Sequence, residues 1–329
     1  FELGLFNNRI RLEGDFYDSQ SIDLLLNVPV PTITGYSTQM QNIGKVQNRG
    51  MEFTLNTKNL TGEFAWSSNF NISFNKNKVL EVGVDGRPIY GSAANANNAF
   101  ITKPGYPIAS FYGYKYIGVF QSEEELAKYP HLSGDKVGDG RYEDVNKDGV
   151  LDQNDKTILG DNNPLFTAGF SNSFSYKNFT LDIQFTGSYG AEVFSFYKRM
   201  CGIYHGDRNG MIEQLGRWQS KDQPGDGIHF RPTRTPSGWQ RDPSSAWVQD
   251  ASYLRLRNLT LGYNFDQKVL DKMKMKGLRL YVTGQNLFTI TNYVGYDPET
   301  SSESGLAQGG DYLGYPAARS FIIGANITF

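Results

Sequence analysis

Residues 141–155 read Arg-Tyr-Glu-Asp-Val-Asn-Lys-Asp-Gly-Val-Leu-Asp-Gln-Asn-Asp. Counting from Asp144, oxygen-bearing side chains fall at Asp144, Asn146, Asp148, Asp152 and Asp155, with Gly149 in the sixth place and Val150 in the seventh. An EF-hand-type loop takes its ligands from positions 1, 3, 5, 7, 9 and 12, with Gly at 6. The glycine permits the sharp turn, and the Val150 carbonyl fills the seventh place. Calcium, a hard cation that seeks six to eight oxygens, is the ion this spacing suits. Asp155 stands where Glu is usual, and its shorter arm makes bidentate coordination harder. The competing reading is a solvated Asx-rich turn.

The rest of the sequence limits the chemistry available. The chain has 329 residues and a formal net charge of −2, so no basic excess points to nucleic acid. Cys201 is the lone cysteine, which rules out a disulfide framework within the chain. His131, His205 and His229 lie far apart in turn-like surroundings and suggest no histidine metal site or nucleophile. Nothing marks a particular acidic pair for hydrolysis, so no enzymatic activity is expected. No apolar run approaches the roughly 20 residues of a membrane helix. Aromatic residues nevertheless reach 14%, while the mean hydropathy is −0.48. That combination suits strands with two unlike faces.

The elements that carry the loop show this directly. Phe179, Leu181, Ile183 and Phe185 alternate with Thr180, Asp182 and Gln184. Period two puts one set on each face of a strand. Phe64–Asn75, Ile10–Phe16, Met51–Asn56, Phe166–Phe174, Leu278–Thr283 and Phe321–Phe329 repeat the pattern. In Tyr253–Phe265 the apolar parity switches between Leu256 and Leu259, which predicts a β-bulge near Arg257–Asn258. Short connections (7–8, 58–63, 177–178, and 266–277 with room for a helical turn) alternate with long ones (19–49, 76–165, 189–251, 290–319). Loops sorted in this way belong to a transmembrane antiparallel β-barrel, with short periplasmic turns and long outward loops. The pattern predicts roughly nine strands. By the same parity, Ser110–Phe120 belongs to a long extracellular excursion, 76–165, that also holds the Asx-rich loop. The ion is then a structural cross-link in a segment expected to have little core. Nine strands do not close an even-numbered barrel, so an N-terminal part is expected to be missing from this chain.

Several stretches carry a resemblance: Asn42–Glu52, Gly140–Gly160, Tyr253-Leu-Arg-Leu-Arg-Asn-Leu-Thr-Leu-Gly-Tyr263, Gly284-Gln-Asn-Leu-Phe-Thr289, Gly295-Tyr-Asp-Pro-Glu299 and the ending Gly324-Ala-Asn-Ile-Thr-Phe329. In this order they resemble the C-terminal barrel portion of SusC/RagA-like TonB-dependent outer-membrane transporters. The resemblance implies a cell outer-membrane barrel of about 22 strands with a plugged lumen. It also implies contact with outer-membrane lipid and lipopolysaccharide, and a SusD-like lipoprotein as lid. TonB would act through the missing N-terminal part, and the cargo would be oligosaccharides or oligopeptides. The plug would precede Phe1. Within 189–251, Trp218, Arg231, Arg234, Trp239, Arg241 and Trp247 are candidates for contacting substrate, because aromatic faces stack on sugars and Arg forks hold carboxylates or carbonyls. Their alternative role is packing the loop. Arg11, Glu13, Arg255, Arg257 and Arg279 are expected to hydrogen-bond across the lumen or to the plug rather than to touch substrate. Trp66 and Tyr176 are expected in an interfacial girdle. The alternative to the whole reading is a soluble surface β-sandwich that binds glycans. A dockerin-like module is a weaker rival, since dockerins duplicate a loop that occurs once here.

Overall fold

A computed structural model describes the chain except residues 30–32, 34, 37, 84–85, 94–95, 203–208, 234–241 and 301–303. β1 (Glu2–Leu5), β2 (Ile10–Pro29), β3 (Thr38–Thr61) and β4 (Phe64–Val82) run as successive antiparallel strands. The chain then leaves for β5 (Ile89–Ala93), β6 (Ala96–Thr102), β7 (Ser110–Gly113), β8 (Tyr116–Val119), helix α1 (Glu123–Lys128), β9 (Gly140–Tyr142) and β10 (Thr157–Gly160). It returns with the hairpin of β11 (Phe166–Tyr176) and β12 (Phe179–Tyr189). A second departure carries β13 (Glu192–Ser195), α2 (Phe196–Gly202) and β14 (Val248–Asp250). β15 (Tyr253–Asn264), α3 (Gln267–Met273), β16 (Gly277–Thr291), β17 (Gly310–Asp311) and β18 (Ser320–Thr328) complete the chain.

Nine of these strands form one antiparallel wall in the order β1-β2-β3-β4-β11-β12-β15-β16-β18. Sequence order equals spatial order, as an up-and-down barrel wall requires. Registry aligns the apolar rows across it. Leu55 pairs with Phe70, Phe70 with Phe170, and Phe170 with Phe185. Nearer the short-turn end, Leu181 pairs with Leu261, Leu261 with Val282, and Val282 with Ile323. None of Phe179, Leu181, Ile183 and Phe185 is buried. In water so much exposed apolar surface would drive association; against acyl chains it is the expected state. The opposite face is a hydrogen-bonded polar ladder. Ser73 bonds Glu52, Asn69 bonds Asn56, Asn75 bonds Asn48, Ser173 bonds Asp182, and Thr260 meets Thr283.

The bulge is where the parity switch puts it. Gln184 pairs with Asn258 and Phe185 with Leu256, leaving Arg257 as the extra residue. Across the next pair, Asn258 faces Gln285 and Leu256 faces Phe288. The turn at 177–178 is tight, with Lys177 at φ +51°, and α3 occupies the longer connection before β16. Ser110–Phe120 is absent from the wall; it splits into β7 and β8, which join two smaller sheets.

Two expectations need correction. β2, β3 and β4 run 20, 24 and 19 residues, well beyond the alternating segments. Pairing of β2 with β3 continues as far as Pro29 with Thr38. Hydrogen-bonded pairing does not depend on side-chain alternation, so a ladder can outlast the two-faced pattern. The first long connection therefore shrinks from 19–49 to 30–37. The excursion also has a core. Phe100, Phe111, Val119, Phe194, Phe230, Trp247 and Ala307 form one buried cluster drawn from three separate connections. Val46, Val79, Val82 and Ile89 root this cap on the extended β3–β4 hairpin. Among the described residues, most of the buried apolar ones lie in the cap or where it joins the wall.

Candidate functional site

The Asx-rich loop is held by its own side chains. Asp144 accepts from Lys147 N–H at 2.7 Å and from Gly149 N–H at 2.9 Å. Asn146 and Asp148 accept from the N–H groups of Asp148 and Val150 at 3.0 and 2.9 Å. Asp155, fully buried, accepts from Val145 and Asp152 N–H at 2.9 and 2.8 Å. Lys147 and Gly149 have φ of +60° and +83°, so the turn needs left-handed backbone there. A carboxylate oxygen has two lone pairs, so one accepted N–H leaves capacity for a cation. The donor chemistry thus fits a hard ion. Among the described residues, however, no three His, Cys, Asp or Glu side chains are gathered closely enough to hold a metal. Leu151 at the loop's centre packs with Tyr114 and Tyr142, fixing the loop to the cap.

A second constellation joins three stretches quoted above. Arg255 lies on the inward parity of β15 and is 3% exposed. Its Nε donates to Thr289 Oγ1 at 2.8 Å, its Nη1 to Glu299 at 2.5 Å and its Nη2 to Asp297 at 2.6 Å. Arg257, freed by the bulge, donates to Glu299 at 2.6 Å, and the Tyr253 hydroxyl adds a bond at 2.5 Å. Asp297 also accepts from the backbone N–H groups of Glu299 and Ala317 at 3.0 Å each. Asn286 donates to the Ala318 carbonyl at 3.1 Å. These bonds strap the connection 292–319 to the inward side of the wall. A buried guanidinium is tolerated only when it is fully paired, and here two carboxylates and a hydroxyl surround it. Sequence reasoning placed Arg255 and Arg257 inward but missed their partners. An inward arginine pair followed by Asp-Pro-Glu was the available signal.

Burial alone would raise the Asp297 pKa. The Ala317 and Glu299 N–H groups and Arg255 outweigh burial and hold it below the ordinary carboxylate value. A depressed folded pKa stabilises at pH above the unfolded value, and that contribution is lost as pH falls through the folded one. The protection of 292–319 against hydrogen exchange, corrected for the intrinsic pH dependence of amide exchange, is therefore expected to stay constant around neutral pH. It should fall only below the ordinary aspartate pKa of about 3.9; lost protection already at pH 6 would contradict the strap.

The other inward charges pair locally. Arg11 meets Glu2 and Glu13 at 3.0 and 2.8 Å, and Arg279 lies 3.9 Å from Asp182. On the outward face Trp66 donates to Asn172 at 2.9 Å, and Tyr176 is exposed beside the short turn. The aromatic candidates sit in the cap. Trp247 is 2% exposed and stacks edge-on with Phe230, so as placed it offers no face to solvent. Trp218 packs on the same cluster, tight against Gly138, where a Cβ would come within 2.5 Å of its ring. Arg231 grips buried Asp139 with two bonds, of 2.7 and 3.1 Å. These three residues join the connection 190–252 to 83–165. Arg234, Trp239 and Arg241 lie outside the described residues.

A sheet with apolar side chains outward, a hydrogen-bonded polar face inward and long connections gathered into a cap is the wall of a transmembrane β-barrel. The comparisons with known proteins agree. No family model matches the chain. Over its whole length it is 36% identical to TonB-dependent receptor P3 of Formosa agariphila and 29% identical to TonB-dependent receptor SusC of Bacteroides thetaiotaomicron. It covers 33% and 31% of them, so the chain spans about a third of the curated relatives it matches. The structure of the RagAB peptide transporter superposes over 100% of this chain and 34% of that one, with a TM-score of 0.80 at 23% identity. Over its whole length the chain is thus similar to about a third of these TonB-dependent receptors, and it shares the fold of the corresponding part of the RagAB structure. Its relatives are receptors, not enzymes.

Proposed function

We propose that the chain forms part of the wall and outer cap of an energy-coupled importer in the bacterial outer membrane. The observation that carries this is the two-faced wall in sequential strand order, matched over its full length by TonB-dependent receptors. In this reading the long connections face the cell exterior and a SusD-like lipoprotein closes over them. The outward apolar face meets lipid and lipopolysaccharide, and TonB acts through a plug outside this chain. Oligosaccharides or oligopeptides are the cargo class. The similarity to RagAB, a peptide transporter, supports the peptide branch. No covalent chemistry is needed: the wall and strap position a path, and coupling to TonB supplies the energy. Cells carrying the complete receptor are expected to take up a labelled oligopeptide or oligosaccharide mixture, and to stop when a protonophore collapses the gradient. Uptake that is indifferent to the gradient would reject the reading.

Calcium belongs to the same proposal. Asp144, Asn146, Asp148, the Val150 carbonyl, Asp152 and Asp155 would hold it, and the ion would stiffen the cap rather than act on cargo. The cap's own core makes this a local effect. Chelation is expected to raise hydrogen exchange in 140–160 while β11 and β12 stay protected. Unchanged exchange after exhaustive chelation rejects the ion.

A further inference from the structure

Within the cap, a cavity of about 340 Å³ lies between α2, the 3-10 turn Ile212–Gly216 and residues 228–230. That volume falls at the small end of ligand pockets. Phe230 and Trp247 give it an aromatic floor, and Ile228 at its edge is exposed. Three polar groups line it with no ion pair or hydrogen bond to their side chains among the described residues. Lys198 projects from α2 and is half-buried. Glu213 comes from the 3-10 turn and is also half-buried. Gln214 is 7% exposed, and its side-chain carbonyl oxygen is buried without a partner. Burial lowers the Lys198 pKa, and the nearby Glu213 carboxylate acts in the opposite direction. A poorly solvated ammonium, a carboxylate and an orphaned amide oxygen around one hollow are costly unless something pairs with them.

We propose that this cavity binds a zwitterionic ligand, a short peptide with both termini free. Its carboxylate meets Lys198, its ammonium meets Glu213, and its amide N–H donates to Gln214. An uncharged oligosaccharide would leave both protein charges unpaired, and a site built to pair a group rejects the analogue that lacks it. The inference rests on the import reading and narrows its cargo to peptides at this site.

The test is calorimetric titration of the complete receptor in detergent with alanyl-alanine, its N-acetyl form, its C-terminal amide and maltotriose. The free dipeptide is expected to bind, and each blocked form to bind about tenfold or more weakly, a difference of about 1.4 kcal/mol. Lys198→Met is expected to erase discrimination between the dipeptide and its amide, and Glu213→Gln that between the dipeptide and its N-acetyl form. Near-UV dichroism of both variants should match the parent, and a variant with an altered spectrum is replaced by Lys198→Gln or Glu213→Ala. Failure of the dipeptide to bind overturns the proposal. So does equal binding of blocked forms or maltotriose, or discrimination that survives both substitutions. Gradient-dependent uptake reports separately: uptake without dipeptide binding condemns this site alone, and binding without uptake condemns the import reading alone.

Discussion

Replacing Arg255 with methionine is expected to release the connection 292–319 from the wall and to cost about 3–5 kcal/mol locally, the usual penalty for removing one partner of a buried ion pair. The size follows from what is left behind. Asp297 and Glu299 each lose a guanidinium bond at 2.5–2.6 Å, and Thr289 loses its partner. Glu299 keeps Arg257 and Tyr253, whereas Asp297 keeps only the backbone N–H groups of Glu299 and Ala317. Protease cleavage within 292–319 should accelerate by two orders of magnitude or more if cleavage follows the opened state. The β11–β12 hairpin should remain protected. Arg257→Met should do much less, because Arg257 is more exposed than Arg255 and meets Glu299 alone among the acids. Equal effects of the two substitutions would contradict the buried strap.

The second large effect separates neighbouring residues on β12. Ile183→Arg places a charge on the outward face at mid-strand, where Ile183 pairs with Asn172 and Leu259. The expected cost is about 2–4 kcal/mol at the bilayer midplane. Gln184→Arg, one residue along, points to the wet side and should be nearly neutral. Heat-modifiable mobility of receptor reconstituted in lipid measures the folded fraction. Loss for Ile183→Arg with retention for Gln184→Arg is the predicted outcome; equal tolerance would mean that the outward face is not in hydrocarbon.

What was legible in the sequence was local. Period two assigns each face because alternation is a property of consecutive residues. The bulge at Arg257 showed as a parity switch between Leu256 and Leu259 for the same reason. The Asx-rich loop also lies within one short stretch, so its spacing could be counted. The strap was hidden because Arg255 and Asp297 are 42 residues apart, and only the fold of 292–319 brings them together. The cap's core was hidden for a similar reason: Phe100, Phe194, Trp247 and Ala307 come from connections that separately resemble loops. Trp247 illustrates the consequence. A tryptophan in a loop invites a binding role, yet its ring is part of that core. The extended ends of β2 and β3 escaped notice because a hydrogen-bonded ladder leaves no periodic trace once neither face must be apolar.

The central claim is most directly tested by a nitroxide scan along β12 and β15 in lipid vesicles, with Cys201 first replaced by serine. Accessibility to oxygen, which partitions into hydrocarbon, and to a water-soluble nickel chelate is measured at each position. The account predicts oxygen-rich signals at 181, 183, 259 and 261 and nickel-rich signals at 182, 184, 258 and 260, with the phase shifting at the bulge. Two collision profiles that rise and fall together, or nickel reaching 183 and 261 as readily as 184 and 260, would contradict it.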